Sequence, residues 1–160
     1  MRHVVGVADM KISKQKNDVI VTHALGSCLG IVAFDPAAGV GGMFHAMLPN
    51  ASVNPDKAKS NPYMFVDVGT PLFFKELYKH GADKKNLIVK VCGGASIGAA
   101  DKDDYFAIGK RNFVMLRKLF WTNGIIIKNQ DVGGSISRTL YLDLKDGRTW
   151  ILSGGKEWEL

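Results

Sequence analysis

The segment Leu29 to Leu48, LGIVAFDPAAGVGGMFHAML, does most to restrict the fold. Two apolar runs flank Asp35-Pro36-Ala37-Ala38-Gly39, a cluster of turn-forming residues, so the segment reads as two strands joined by a tight loop. The first run, Leu29 to Phe34, carries almost no polar side chain. A strand with one wet face alternates apolar and polar residues, so this strand must be covered on both faces, by helices or by a second sheet.

The rest of the chain supplies such layers. Val4 to Val7 and Asp18 to Thr22 are β-branched and apolar and read as strands. Asn50 to Pro62, rich in Asn, Ser, Pro and Lys, reads as an exposed loop. Apolar spacing predicts a helix from Phe65 to His80, closed by Gly81, with Pro71 either kinking it or standing in the first turn of a helix capped by Thr70. NLIVKVCGG reads as a buried strand, IGKRNFVMLRKLFWTNG as a second helix, and GIIIKN, RTLYLDL and RTWILS as three more strands. The order is strands, helix, strand, helix, strands. With no repeat, low-complexity segment or linker, residues 1–160 are expected to form one α/β domain.

The 160 residues suffice for a core without disulfides or metal, and 46% hydrophobic with 22% charged residues suits a globular protein rather than a disordered or fibrous one. The N-terminus lacks the pattern of a signal peptide and no run is long enough to span a membrane, which points to the cytoplasm. Two cysteines, Cys28 and Cys92, do not make a disulfide framework, and each is expected to be a free thiol. A net charge of +6 favours an acidic partner. The basic residues are scattered rather than run together, which argues against nucleic-acid binding.

Cys28 follows the Gly26-Ser27 turn, where glycine lets the backbone approach a ligand and frees N–H groups to face outward. Such N–H groups beside a thiol can form an oxyanion hole, with Ser27 and Gly26 contributing. His45 lies in the second strand of the hairpin. Centring the loop near Ala38 sets Cys28 opposite Leu48 and His45 near Ile31, one diagonal step apart, a nucleophile beside its base. Cys92, before Gly93-Gly94, reads as a buried hydrophobe. Three other readings are weaker. A metal site of Cys28, His23, His45 and Asp35 lacks ligand spacing. GVGG, CGGASIG and DVGG match no nucleotide motif, so no cofactor is expected. The basic helix face of Lys110, Arg111, Arg117 and Lys118 is either a binding surface or simply solvated.

The chain resembles the chemoreceptor glutamine deamidases called CheD over most of its length. VIVTHALGSC is similar to that family's Thr-x-x-Leu-Gly-Ser-Cys segment, and DPAAGVGGMFHAMLPN to its Gly-Gly-Met-x-His and Met-Leu-Pro segment. KVCGGAS, IGKRN and DVGGSISR are similar to three later signatures. The resemblance implies Cys28 as nucleophile, His45 as general base and acid, and Thr22 as the residue that orients His45. It implies an α/β sandwich of sheets and helices, similar to the catalytic domain of deamidating bacterial toxins. The substrates it implies are glutamines on the helical cytoplasmic part of methyl-accepting chemotaxis receptors, and a CheC-type phosphatase is the implied second partner. His23 and Ala24 depart from the usual Leu and Gly, Phe65 from a usual Tyr, and Pro71 falls in a helix that is normally continuous. His23 could set a second imidazole near the site. A glutamyl methylesterase side activity and a non-catalytic adaptor role are the alternatives.

Overall fold

The structure, a computed structural model, describes residues 1–96 and 107–160. Among these, ten strands form two five-stranded sheets. The first sheet runs β1 (Arg2–Val4), β3 (Val19–Leu25), β8 (Arg138–Asp143), β9 (Thr149–Ser153), β10 (Lys156–Glu159). The second runs β2 (Asp9–Ser13), β5 (Val40–Ala46), β4 (Leu29–Asp35), β6 (Ile88–Gly93), β7 (Ile127–Val132). Helices α1 (Pro55–Ser60), α2 (Val66–Lys79) and α3 (Ile108–Asn123) complete it.

The hairpin of β4 and β5 is the middle of the molecule, and every residue of both strands is buried. Leu29, Ile31 and Ala33 of β4 face Phe73, Phe74, Leu77, Leu116 and Phe120 from the long helices. Val32 and Phe34, with Met43 of β5, face Ile20, Leu140, Leu142 and Ile151 of the other sheet. The missing alternation in LGIVAFD thus reflects a three-layer sandwich, with a sheet on one face of β4 and helices on the other. No helix among the described residues is long and apolar enough to cross a membrane.

Several elements differ from expectation. The segment from Asn50 to Pro62 is not all loop: Asn54 accepts from the Lys57 N–H at 3.1 Å and Pro55 opens α1, an N-cap and N1 proline that are a helix start signal. Helix α2 begins at Val66 and continues through Pro71, so Thr70 is not its cap. The hydrogen bond lost at Pro71 costs about 3 kcal/mol. Burial of Val66, Phe73, Phe74 and Leu77 along the same helix offsets it. The first strand spans Arg2–Val4 rather than Val4 to Val7, and β2 and β10 carry polar residues at exposed positions, which hides them in the sequence pattern.

Candidate active site

Thr22 of β3 and His45 of β5 belong to different sheets and meet between them. Thr22 Oγ1 lies 2.7 Å from His45 Nδ1 and donates to the Val5 carbonyl at 2.7 Å. The threonine has one hydroxyl proton, already given to Val5, so its oxygen must accept from Nδ1–H. This assigns the tautomer: Nδ1 carries the proton and Nε2 carries the lone pair. Nε2 is buried and has no hydrogen-bond partner among the described residues. Gly30, paired with His45 across the hairpin, permits this approach. A Cβ there would sit 2.8 Å from Leu140 and Leu25 side-chain atoms and 3.6 Å from the Thr22 methyl, so any side chain would hold the sheets apart.

The loop of the candidate nucleophile, Gly26 to Cys28, is pinned by its carbonyls. Gly26 accepts from the Ala95 N–H at 2.9 Å, Cys28 from the Gly94 N–H at 2.9 Å, and Ser27 from the side-chain amide of Asn112 at 2.9 Å. Among the described residues the N–H groups of Gly26 and Ser27 donate to no other group, and that of Cys28 meets only its own thiol. With the carbonyls turned into the protein, the N–H groups are left for something else, the arrangement an oxyanion requires. Gly93, at φ +109, is needed here because a Cβ would come within 2.2 Å of the Cys28 carbonyl oxygen.

The charges of the pair are set by burial. Desolvation raises the Cys28 thiol above its ordinary value, only partly countered by its own backbone N–H. Desolvation pushes His45, which is 1% exposed, down from 6.5 to about 4. At neutral pH both groups are therefore neutral, a thiol and an imidazole rather than a thiolate–imidazolium pair.

The hairpin register differs by one residue from the loop centred on Ala38. The loop is Pro36 to Gly39, closed by the Asp35↔Val40 pair, so its centre falls between Ala37 and Ala38. His45 therefore pairs with Gly30, not Ile31, and one step past the Leu29↔Ala46 pair Cys28 falls beside Met47, not Leu48. The slip matters because it changes faces. In the observed register His45, Gly30 and Cys28 share the face toward the other sheet, with Cys28 two positions along from Gly30.

His23 does not provide a second imidazole: it is exposed, on the side of β3 opposite the buried Thr22. Ala24, at φ +53, forms the irregularity between Thr22 and Leu25 that brings both onto the inner face, three residues apart rather than two. A glycine would hold that left-handed backbone without strain. Asp35 lies at the far end of β4 and is occupied by the N–H groups of Ala37, Ala38 and Asp83. Cys92 is fully buried, with its thiol pushed up to about 12 mainly by desolvation.

Asn112 was not singled out by the sequence. It is fully buried on α3, and its amide donates to the Ser27 carbonyl at 2.9 Å and the Met47 carbonyl at 3.0 Å, tying the end of the His45 strand to the Cys28 loop. An asparagine within IGKRN on the inner side of an amphipathic helix was the available signal, because a buried amide must be answered by hydrogen bonds. Gly109, one turn earlier, lets α3 rest on the loop: a Cβ there would be 2.4 Å from the Ala95 carbonyl oxygen. The segments CGGAS, IGKRN and DVGG thus converge on one place, since Gly133 N–H also donates to the Gly93 carbonyl and Ser96 N–H to that of Gly134, each at 2.9 Å.

The chain is similar to known proteins over most of its length. Residues 47–153 match the family model described as CheD, chemotactic sensory transduction. The chain is 45% identical over 152 residues to the probable chemoreceptor glutamine deamidase CheD 1 of Syntrophus aciditrophicus, covering 95% of this chain and 94% of that protein. It is 43% identical over 157 residues to the probable chemoreceptor glutamine deamidase CheD of Solibacter usitatus, covering 98% and 92%. It is 41% identical over 150 residues to a similarly named protein of Anaeromyxobacter dehalogenans, covering 94% and 93%.

Proposed function

The chain belongs to the CheD family, and from that membership we propose that it hydrolyses glutamine side chains of chemoreceptors to glutamate, with Cys28 as nucleophile, His45 as base and acid, and Thr22 holding His45. The observation that carries this reading is the Thr22 to His45 hydrogen bond, which leaves a buried imidazole lone pair on the same strand face as a half-buried thiol.

As the thiol attacks the carboxamide carbon, its proton passes to His45 Nε2 and the new S–C bond forms. The oxygen becomes an anion, for which the N–H groups of Ser27 and Cys28, with Gly26 shaping the turn, are the donors at hand. Nε2 returns its proton to the nitrogen, the C–N bond breaks, and ammonia departs. Water then gives a proton to Nε2 and attacks the thioester, Nε2 passes that proton to the sulfur as the S–C bond breaks, and glutamate and the Cys28 thiol result. The neutral resting pair suits this general-base route, since no ion pair has to form before substrate arrives. A glutamyl methyl ester would follow the same path with methanol leaving, which makes methylesterase activity the natural side reaction. The CheC-type phosphatase is the further partner that the family resemblance implies.

Mass spectrometry of a chemoreceptor cytoplasmic fragment after incubation tests the reading. Glutamine-to-glutamate conversion, a gain of about one mass unit that disappears with Cys28→Ala, is the expected result. Conversion that survives Cys28→Ala would overturn the assigned nucleophile. Binding of the fragment without conversion would leave the protein as an adaptor.

A further inference from the structure

Helix α3 carries two stripes. Leu116 and Phe120 face inward, with Phe113 packed beside them, whereas Val114, Arg117, Lys118 and Trp121, at the i, i+3, i+4, i+7 spacing of one helical face, all point outward. Val114 is 55% exposed, Trp121 89%, and Ile126, just past the helix, 83%. Isolated apolar surface residues are ordinary, but an apolar stripe with two cations in its middle is a surface built for something. The groove beside it, of about 510 Å³, is lined by Arg117, Lys118, Trp121 and Ile126 among others, with no carboxylate among the described residues that line it. A second groove, of about 380 Å³, shares Val114 and Arg117 with the first and extends past Lys110 to Gly94 and Ser96, again with no carboxylate among the described residues that line it. Gly94 is the residue whose N–H holds the Cys28 carbonyl. The two form a track from Trp121 to the nucleophile loop.

Charge selects the occupant. Among the described residues neither Arg117 nor Lys118 is in an ion pair, and the Arg117 guanidinium lies 5.9 Å from the Phe113 ring centroid, which holds it in place over the track. A second copy laid on this face would bring like charges together at its centre, in a chain already at +6. An acidic helix with apolar residues one heptad apart would instead meet Val114 and Trp121 with its apolar stripe and the two cations with its carboxylates.

We propose that the stripe of Val114, Arg117, Lys118 and Trp121, with Ile126 beyond it, docks an acidic amphipathic helix of the chemoreceptor substrate and guides it along α3 toward Cys28. The identity of the helix rests on the deamidase reading above; the docking surface stands on its own geometry. About seven residues separate Val114 and Trp121, a span of about 10 Å, so a docked helix needs only about three turns to cover both.

The full chain with Cys28→Ala, titrated by calorimetry with a chemoreceptor cytoplasmic fragment, measures docking without turnover. Trp121→Ala and the double charge reversal Arg117→Glu, Lys118→Glu should each weaken binding about tenfold or more, and the wild-type affinity should fall as salt rises. In the active chain the same changes should lower kcat/KM by that factor while leaving kcat, and the alkylation rate of Cys28, within about twofold. Unchanged affinity in both variants overturns the proposal. So does a wild-type dimer in sedimentation that Trp121→Ala dissolves, which would give the face to a second copy. Stripe-dependent binding of a fragment that the active chain never deamidates would uphold the docking surface and defeat the deamidase reading instead.

Discussion

Thr22 and His45 share a 2.7 Å hydrogen bond across the interface of the two sheets, and the threonine proton is committed to the Val5 carbonyl. The orientation of the imidazole is therefore a property of how the sheets are stacked, not of either strand alone. One tautomer is fixed before any substrate binds, so little reorganisation remains for the reaction itself.

Thr22→Val should release this control while keeping the shape of the side chain. A buried Nδ1–H left without an acceptor costs about 1–3 kcal/mol of stability. The expected kcat falls by about 10–100-fold, because the wrong tautomer becomes populated. Thr22→Ser should restore most of the activity. Nitrogen NMR of the His45 ring checks the cause: a single tautomer in wild type and Thr22→Ser, a mixture in Thr22→Val.

Acid should destabilise the protein through His45. Its folded value, about 4, lies below the unfolded 6.5, so the unfolded chain binds more protons between those two values. The contribution is full above pH 6.5 and is lost as pH falls toward 4, by on the order of 3 kcal/mol. Denaturant midpoints across this range should drop in wild type and flatten in His45→Gln. The acid limb of kcat/KM should likewise sit near pH 4, and a limb at pH 6.5 would show that the imidazole is not buried as described.

Asn112→Ala should uncouple the proposed nucleophile from its proposed base. The Ser27 and Met47 carbonyls both lose their donor. Destabilisation of about 1–3 kcal/mol is expected, with kcat falling by about tenfold or more and KM little changed. Leu116→Ala serves as the comparison, since it opens a cavity in the same helix without touching either carbonyl. If both variants lose kcat in proportion to their stability, Asn112 does not position the site.

Ala24→Gly should stabilise the chain. Alanine at φ +53 is strained by about 1 kcal/mol relative to glycine, though glycine gives back part of that through the unfolded chain. A rise in Tm of about 1–3 °C is expected for a domain of this size. No rise, or a fall, would mean that the irregularity in β3 is not strained.

Much of this was legible in the sequence because it depends on short-range chemistry. The unbroken apolar run of LGIVAFD announced a strand covered on both faces, and β4 is covered by a sheet and by helices. The Gly-Ser-Cys turn and the histidine of the next strand identified two members of the candidate site, and the order of motifs identified the family. Other features were hidden for a common reason. The hairpin register depends on whether four or five residues close the loop, which Asp35 decides by accepting from Ala37 and Ala38. Asn112 lies eighty-odd residues from the loop it holds, and no local pattern records such a bond. His23 and Thr22 are neighbours in sequence, and only the pleat of β3 sends one to solvent and the other to His45.

By itself, then, the sequence determined which residues could do chemistry, which strands had to be buried and which family the chain belongs to, because residue type, turn chemistry and periodicity act over a few positions. The tertiary structure decided what those residues are. It made His45 a neutral imidazole with its lone pair on Nε2 and raised the thiol of Cys28. It also turned three carbonyls of the Cys28 loop inward and left Trp121 facing water. Protonation, tautomer and exposure depend on what lies across a gap in space, and packing alone brings those groups together.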